Sequence, residues 1–236
     1  YLLKLSEPTD LEVSIQSNTL GSIVHKVFEE GLKKTALNIT LKESHLKEIL
    51  SQVDELLADA IAEEYKYGPS DRGENFLLIR SARSTIKKIL RREISELNKD
   101  GSHITITGLE EQIDATYTLK DGSEIKFFGM ADRVEKINGV TRVVDYKTGQ
   151  ATQSELNLKD SNTGEWDGEE GKLNRGKASK ALQLLVYCAM LLKRDENLDV
   201  VNAAIRSGRN VHSGLLTLTI NDSTDITKND VDRFLN

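Results

Sequence analysis

Two aspartates and a lysine mark the stretch from Gly129 to Gly149 as chemically capable. Asp132 and Asp145 stand thirteen residues apart, and Lys147 follows the second aspartate by two. Val140 to Val144 is mostly β-branched and apolar, which reads as a strand. Asn138-Gly139 is a hairpin-turn signal, so Gly129 to Val134 reads as the end of the preceding strand. Side chains alternate along a strand, so Asp145 and Lys147 share a face, and the neighbouring strand can bring Asp132 beside them. Two carboxylates and one ammonium at a strand end suit a hard divalent cation and an anionic substrate.

The elements that must hold these residues follow from periodicity. Leu20, Ile23, Val24, Val27, Phe28 and Leu32 keep helical spacing. Thr40-x-x-Glu43 reads as a capping box that opens a second helix, which Gly68-Pro69 closes. A third helix is expected from about Asp71 to Asn98. Strands are expected over His103 to Asp114, Ala115 to Leu119, and from the Asp121-Gly122 turn over Glu124 to Met130. Residues 150–174 are polar and glycine-rich and read as a mobile surface loop. Lys177 to Arg194 is apolar on most sides and reads as a buried helix. Strands at Val200 to Ile205 and Gly214 to Ile220 follow, and Thr227-x-x-Asp230 caps a last helix. This order predicts an α/β or α+β domain with a mixed sheet flanked by helices.

Other residues admit more than one role. His25 and Glu29 are four apart on the first helix and share a face; a helical histidine serves as a packed or surface residue as well as a ligand. Gln183 and Tyr187 are likewise four apart on the buried helix, where local hydrogen bonding would satisfy them. Glu110 and Glu111, at a strand entry, read as structural or as lying just outside the site. Trp166, in the polar loop, reads as a loosely packed residue or as a platform for a base.

Taken together, these motifs resemble the PD-(D/E)XK nuclease superfamily and, within it, the RecB/AddB-like branch. The residues that carry the resemblance are Gly129, Asp132, Asp145, Lys147, Thr148 and Gly149, with Gly21-x-x-x-His25-x-x-x-Glu29 upstream and Gln183-x-x-x-Tyr187 downstream. The resemblance implies a restriction-endonuclease-like core and makes residues 41–98 a helical insertion. It implies Mg²⁺ or Mn²⁺ held by His25, Asp132, Asp145 and the backbone carbonyl of Tyr146. Asp132, Asp145 and Lys147, with Gln183 and Tyr187, would form the catalytic set, and Glu29 would orient His25 or remain solvated. The implied activity is metal-dependent hydrolysis of DNA phosphodiesters, as an exonuclease in repair or recombination, on single strands or duplex ends. A nuclease fold used for DNA binding or scaffolding without cleavage is the alternative. All the expected acids are retained, which favours an enzyme.

Two basic tracks bear on the substrate. Arg175, Lys177 and Lys180, with Lys172, adjoin the proposed site and are expected to contact DNA phosphates. Arg80, Arg83, Lys87, Lys88, Arg91 and Arg92 suit a solvated face as well as DNA binding. The net charge of −6 argues against nonspecific coating of DNA but leaves room for local tracks.

Composition sets the remaining bounds. The chain of 236 residues suits one domain with a helical appendage. No apolar run approaches the ~20 residues of a membrane span, so no membrane partner is expected. The single cysteine, Cys188, rules out an internal disulfide and any iron–sulfur cluster built on four cysteines of this chain, and it fits a reducing, cytoplasmic compartment. Neither a phosphate-cradling Gly-x-x-x-x-Gly-Lys-Ser/Thr loop nor a Ser-His-Asp arrangement occurs. Tyr1 to Leu5 starts inside an apolar run, and the final helix reads as barely one turn after its cap. The chain is therefore expected to be a piece of a larger protein, with a helicase region on the same polypeptide or on a partner subunit.

Overall fold

A computed structural model describes residues 14–66, 68–100, 103–159 and 175–235. Tyr1 to Leu5, Trp166, Lys172 and the side chains of Arg175 and Lys177 lie outside the described residues.

Three helices precede the sheet. In α1 (Ser17–Thr35), Ile23, Val24, Val27, Phe28 and Leu32 recur at helical spacing and are buried. They pack on α2 (Glu43–Glu64) through Leu46, Ile49, Val53 and Leu57. At Gly31 the two helices meet so closely that a Cβ would lie 2.8 Å from Ile49 Cγ2. Thr40 does not cap α2 as expected; it is bridged to Thr105 at the sheet margin. The helix starts at Glu43 instead, where the His45 ring nitrogen Nδ1 accepts from the Lys42 N–H at 3.3 Å. The third helix, α3 (Gly73–Asp100), turns Ile79, Ala82, Ile86, Ile89 and Leu90 inward.

The strands are longer and fewer than expected at first, and then shorter. β1 (Ile104–Thr118) and β2 (Glu124–Ile137) are each continuous and pair antiparallel along their whole length. An irregularity between Ile106 and Gly108 breaks the alternation that would otherwise identify β1 as one strand. Asn138-Gly139, with φ of 50° and 92°, makes the tight turn into β3 (Val140–Lys147).

Of the loop expected over 150–174, residues 160–174 lie outside the described residues, and the described part carries regular structure. Gln153–Glu155 forms a 3-10 turn, and β4 (Asn157–Leu158) follows it. Helix α4 (Arg175–Arg194) then carries the chain to β5 (Val200–Ser207), which lies parallel to β3. The strand expected over 214–220 divides into β6 (Leu215–Thr217), which pairs with β5, and β7 (Thr219–Ile220), which pairs with β4. β8 (Ile226–Thr227) also pairs with β5. The expected cap is present, since Thr227 N–H and hydroxyl both donate to Asp230 Oδ2, at 2.9 and 2.6 Å. The helix it opens, α5 (Lys228–Leu235), has eight residues rather than barely one turn, and it buries Val231.

The result is a mixed central sheet, ordered β1-β2-β3-β5-β6 with β8 on β5, between two helical layers. One face carries Val134, Val143, Ala203 and Ile205 against α4; the other carries Ile104, Ile106 and Tyr146 against α1, α2 and α3. This is the expected α/β architecture and fits a restriction-endonuclease-like core. Among the described residues no helix is long and apolar enough to cross a membrane.

Candidate active site

The site forms where the β2–β3 hairpin opens. The ladder between the two strands ends at Arg133 opposite Val144. Beyond that pair, the Tyr146 N–H donates not to the backbone of β2 but to the side chain of Asp132, at 2.6 Å from Oδ2. β3 remains anchored through β5, with Asp145 beside Ile205 and Lys147 beside Ser207. Alternation along β3 puts Asp145 and Lys147 on one face, as expected. The Lys147 ammonium donates to Asp145 Oδ1 at 3.0 Å and lies 3.0 Å from Oδ2. Asp145 Oδ2 is nonetheless buried without a hydrogen-bond partner among the described residues.

Helix α1 brings His25 against this strand end. Its Nε2 donates to the Tyr146 carbonyl at 2.8 Å. Its Nδ1 faces Asp132 Oδ1 at 3.4 Å and Glu110 Oε1 at 3.6 Å. The ligand atoms of His25, Glu110 and Asp132 all lie within 4.8 Å of one another. Glu110 is the acid that sequence reasoning set aside. Its φ of 43° takes it out of the regular ladder, between the pairs Leu109–Arg133 and Glu111–Ala131. The broken alternation around Gly108 was the available signal.

Crowding of acids shapes the protonation. Burial, then the charge of Asp145, raises the Asp132 carboxyl to about 7, against the opposing pull of His25. Burial works against a charged His25 ring, but hydrogen bonding to Glu110 and the charge of Asp132 outweigh it and lift the imidazole to about 9. In this state a shared excess of protons balances the acids.

Behind the strand end lies an ionic network that the sequence did not announce. The Tyr146 ring stacks on Phe28, centroids 4.2 Å apart, and its hydroxyl takes a hydrogen bond from Arg133 at 3.1 Å. Arg133 is paired with Glu93 at 2.7 Å and with Glu135, all three buried. Arg206 joins the network at Glu93, 3.7 Å away, and pairs in turn with Glu96 at 2.8 Å. Tyr146 is thus fixed on its ring side while its backbone holds Asp132 through N–H and His25 through C=O.

The remaining expected residues divide. Gln183 donates to the Tyr187 hydroxyl at 3.2 Å, and that hydroxyl donates to the Met130 carbonyl at 2.7 Å, two residues before Asp132. The pair therefore steadies β2 beside the site. Gly129 gives room for it, since a Cβ there would lie 3.1 Å from the Tyr187 ring. Glu29, expected either to orient His25 or to remain solvated, is ion-paired with Lys26 at 3.3 Å. His25 takes its orientation from the Tyr146 carbonyl, Asp132 and Glu110. Lys180 is ion-paired with Glu155 at 2.6 Å, so its ammonium already has a partner within the chain.

A cation fits this donor set. Carboxylate oxygens, a carbonyl and one imidazole converge, and Asp145 Oδ2, buried and met only by the Lys147 ammonium without an aligned hydrogen bond, keeps acceptor capacity that a hard metal ion would use. Comparison with known families decides the assignment. Residues 1–225 match the model of the PD-(D/E)XK nuclease superfamily. The chain belongs to the PD-(D/E)XK nuclease superfamily. Membership implies a metal-dependent nuclease acting on DNA, and the acid cluster at Asp132 is where such a metal fits. No curated protein matches the chain.

Proposed function

We propose that this PD-(D/E)XK protein is a Mg²⁺- or Mn²⁺-dependent deoxyribonuclease of the RecB/AddB-like kind, cutting as an exonuclease. The observation that carries the reading is the convergence of Asp132, Asp145 and Lys147 at the open end of one hairpin, with His25 and Glu110 closing the acid cluster. His25, Asp132, Asp145 and the Tyr146 carbonyl would hold the metal, and Glu110 is placed to join them. When bound, the cation polarises the scissile phosphate and lowers the pKa of attacking water. Lys147 contributes a positive charge beside Asp145, placed to stabilise the negative charge that grows on the phosphate oxygens. Asp132 keeps the strand end rigid, so the donors need no reorganisation during reaction. Gln183 and Tyr187 hold β2 in register with the site.

The setting that goes with this reading is DNA repair or recombination in the cytoplasm, beside a helicase region of the same polypeptide or of a partner subunit. Arg175, Lys177 and Lys180 would approach substrate phosphates, Lys180 by exchanging Glu155 for phosphate. The experiment is release of nucleotides from end-labelled single- and double-stranded DNA with Mg²⁺, Mn²⁺, Ca²⁺ or chelator. Progressive release from ends with Mg²⁺ or Mn²⁺, and little with Ca²⁺, supports the reading. DNA binding without cleavage under any metal returns the chain to a non-cleaving scaffold.

A further inference from the structure

We infer that the cleft between α2 and α3 is a second binding site, a track for single-stranded DNA that leads toward the β3 strand end. It deepens the nuclease reading, because it rests on a DNA substrate and adds the route that substrate takes.

The cleft is a cavity of about 570 Å³ with an apolar floor of Leu57, Ile61 and Ile79. Arg80, Arg83, Lys87 and Arg91 line it from α3. Asp54 neutralises part of that charge by pairing with Arg83 at 2.9 Å and Lys87 at 3.1 Å. Arg80 and Arg91, and Lys88 on the same helix, are exposed and make no ion pair among the described residues. Unpaired cations concentrated on one helix of a chain with net charge −6 mark a local anion-binding surface. Phe76, 46% exposed, lies in the same lining and offers a ring to a base. A basic groove with an aromatic platform is how single strands are held without sequence preference.

Continuity with the site favours DNA over an acidic protein segment. Thr85, on the same helix, packs where a Cβ on Gly208 would lie 2.6 Å from its Cγ2. That Cβ would also lie 3.2 Å from the Lys147 carbonyl, and the Gly208 N–H donates to the same carbonyl at 2.7 Å. Lys88 is one helical turn from Thr85. Arg80, Lys87 and Arg91 line the cleft on another side of α3 from Thr85, and exposed Lys88 stands between the two around the helix, so the basic surface runs from the cleft toward the point at which β3 delivers Lys147.

The test is binding of a fluorescein-labelled oligothymidylate in chelator, read by anisotropy across a salt series, so that cleavage plays no part. Arg80→Glu, Lys88→Glu and Arg91→Glu together should weaken binding at least about tenfold and flatten the salt dependence by about 0.7 per lost contact. Phe76→Ala should weaken binding about tenfold, with Phe76→Trp restoring it. Circular dichroism and melting of each variant exclude unfolding, and Arg91→Glu alone, at an exposed position in the cleft lining, provides a smaller shift in the same direction if the triple variant is unstable. Unchanged affinity and salt slope in the charge variants overturns the inference. Capture of polyglutamate by the wild-type protein without capture of the oligonucleotide also overturns it and gives the cleft to an acidic partner. Normal, variant-sensitive binding by a protein that cuts nothing would sink the nuclease reading while sustaining this one.

Discussion

The carboxylate of Asp132 takes the backbone N–H of Tyr146 at 2.6 Å, at the place where β2 ceases to pair with β3. One side chain thereby substitutes for a strand, ending the ladder and fixing an acid beside Asp145. Asp132→Asn keeps a carbonyl acceptor for that N–H and removes the ionisation that burial, and then the charge of Asp145, oppose. The variant should fold with a melting temperature at or above wild type while losing cleavage. Asp132→Ala, which orphans a buried N–H, should lose about 1–3 kcal/mol of stability in urea titration.

Asp145→Ala and Lys147→Ala should each lower cleavage by ~10²-fold or more with the fold unchanged by circular dichroism. Asp145→Ala leaves only the partly exposed Lys147 ammonium without its partner, whereas Lys147→Ala strands the buried Asp145 carboxylate and should also lower the melting temperature. Single-turnover rates on end-labelled DNA measure the loss. A near wild-type rate in either variant would remove that residue from the catalytic set.

Metal binding should expel protons. His25, raised to about 9, is an imidazolium at neutral pH, and a metal ligand must be neutral. Asp132, at about 7, is partly protonated there as well. Affinity for Mn²⁺ should therefore fall as pH drops from about 9, and more steeply once pH passes below about 7. Calorimetry at neutral pH in buffers of different ionisation enthalpy should show net proton release, reduced in His25→Ala. Equal apparent enthalpies in all buffers would take His25 out of the ligand set.

Arg133→Met should destabilise the protein toward the low end of about 3–5 kcal/mol, because it takes a shared buried cation from Glu93 and Glu135 and leaves them only Arg206 and Arg142. The measurement is chemical denaturation with the metal absent. A change within ±0.5 kcal/mol, the range of ordinary surface substitutions, would show that the network does not support the strand end.

The sequence by itself determined the hairpin, the acids and the helices. Asn138-Gly139 can make its turn because both residues accept positive φ, and alternation along β3 is a local rule, so Asp145 and Lys147 had to share a face. The apolar stripes of α1, α2 and α3 are legible for the same reason, since helical spacing is written within each segment. Other features needed tertiary structure because they join residues far apart in the chain. Glu110 enters the site only because its backbone leaves the regular ladder opposite β2; the broken alternation around Gly108 marks an irregularity there but not which side chain it turns inward. Glu29 shares a helix face with His25 by spacing, yet the nearer cation Lys26 takes its charge. Thr40 carries the residues of a helix cap, but its bridge to Thr105 draws it to the sheet. The Arg133 network, assembled from α3, β2, β3 and β5, leaves no periodic trace, because the pairing of buried charges is decided by which segments meet and not by their order.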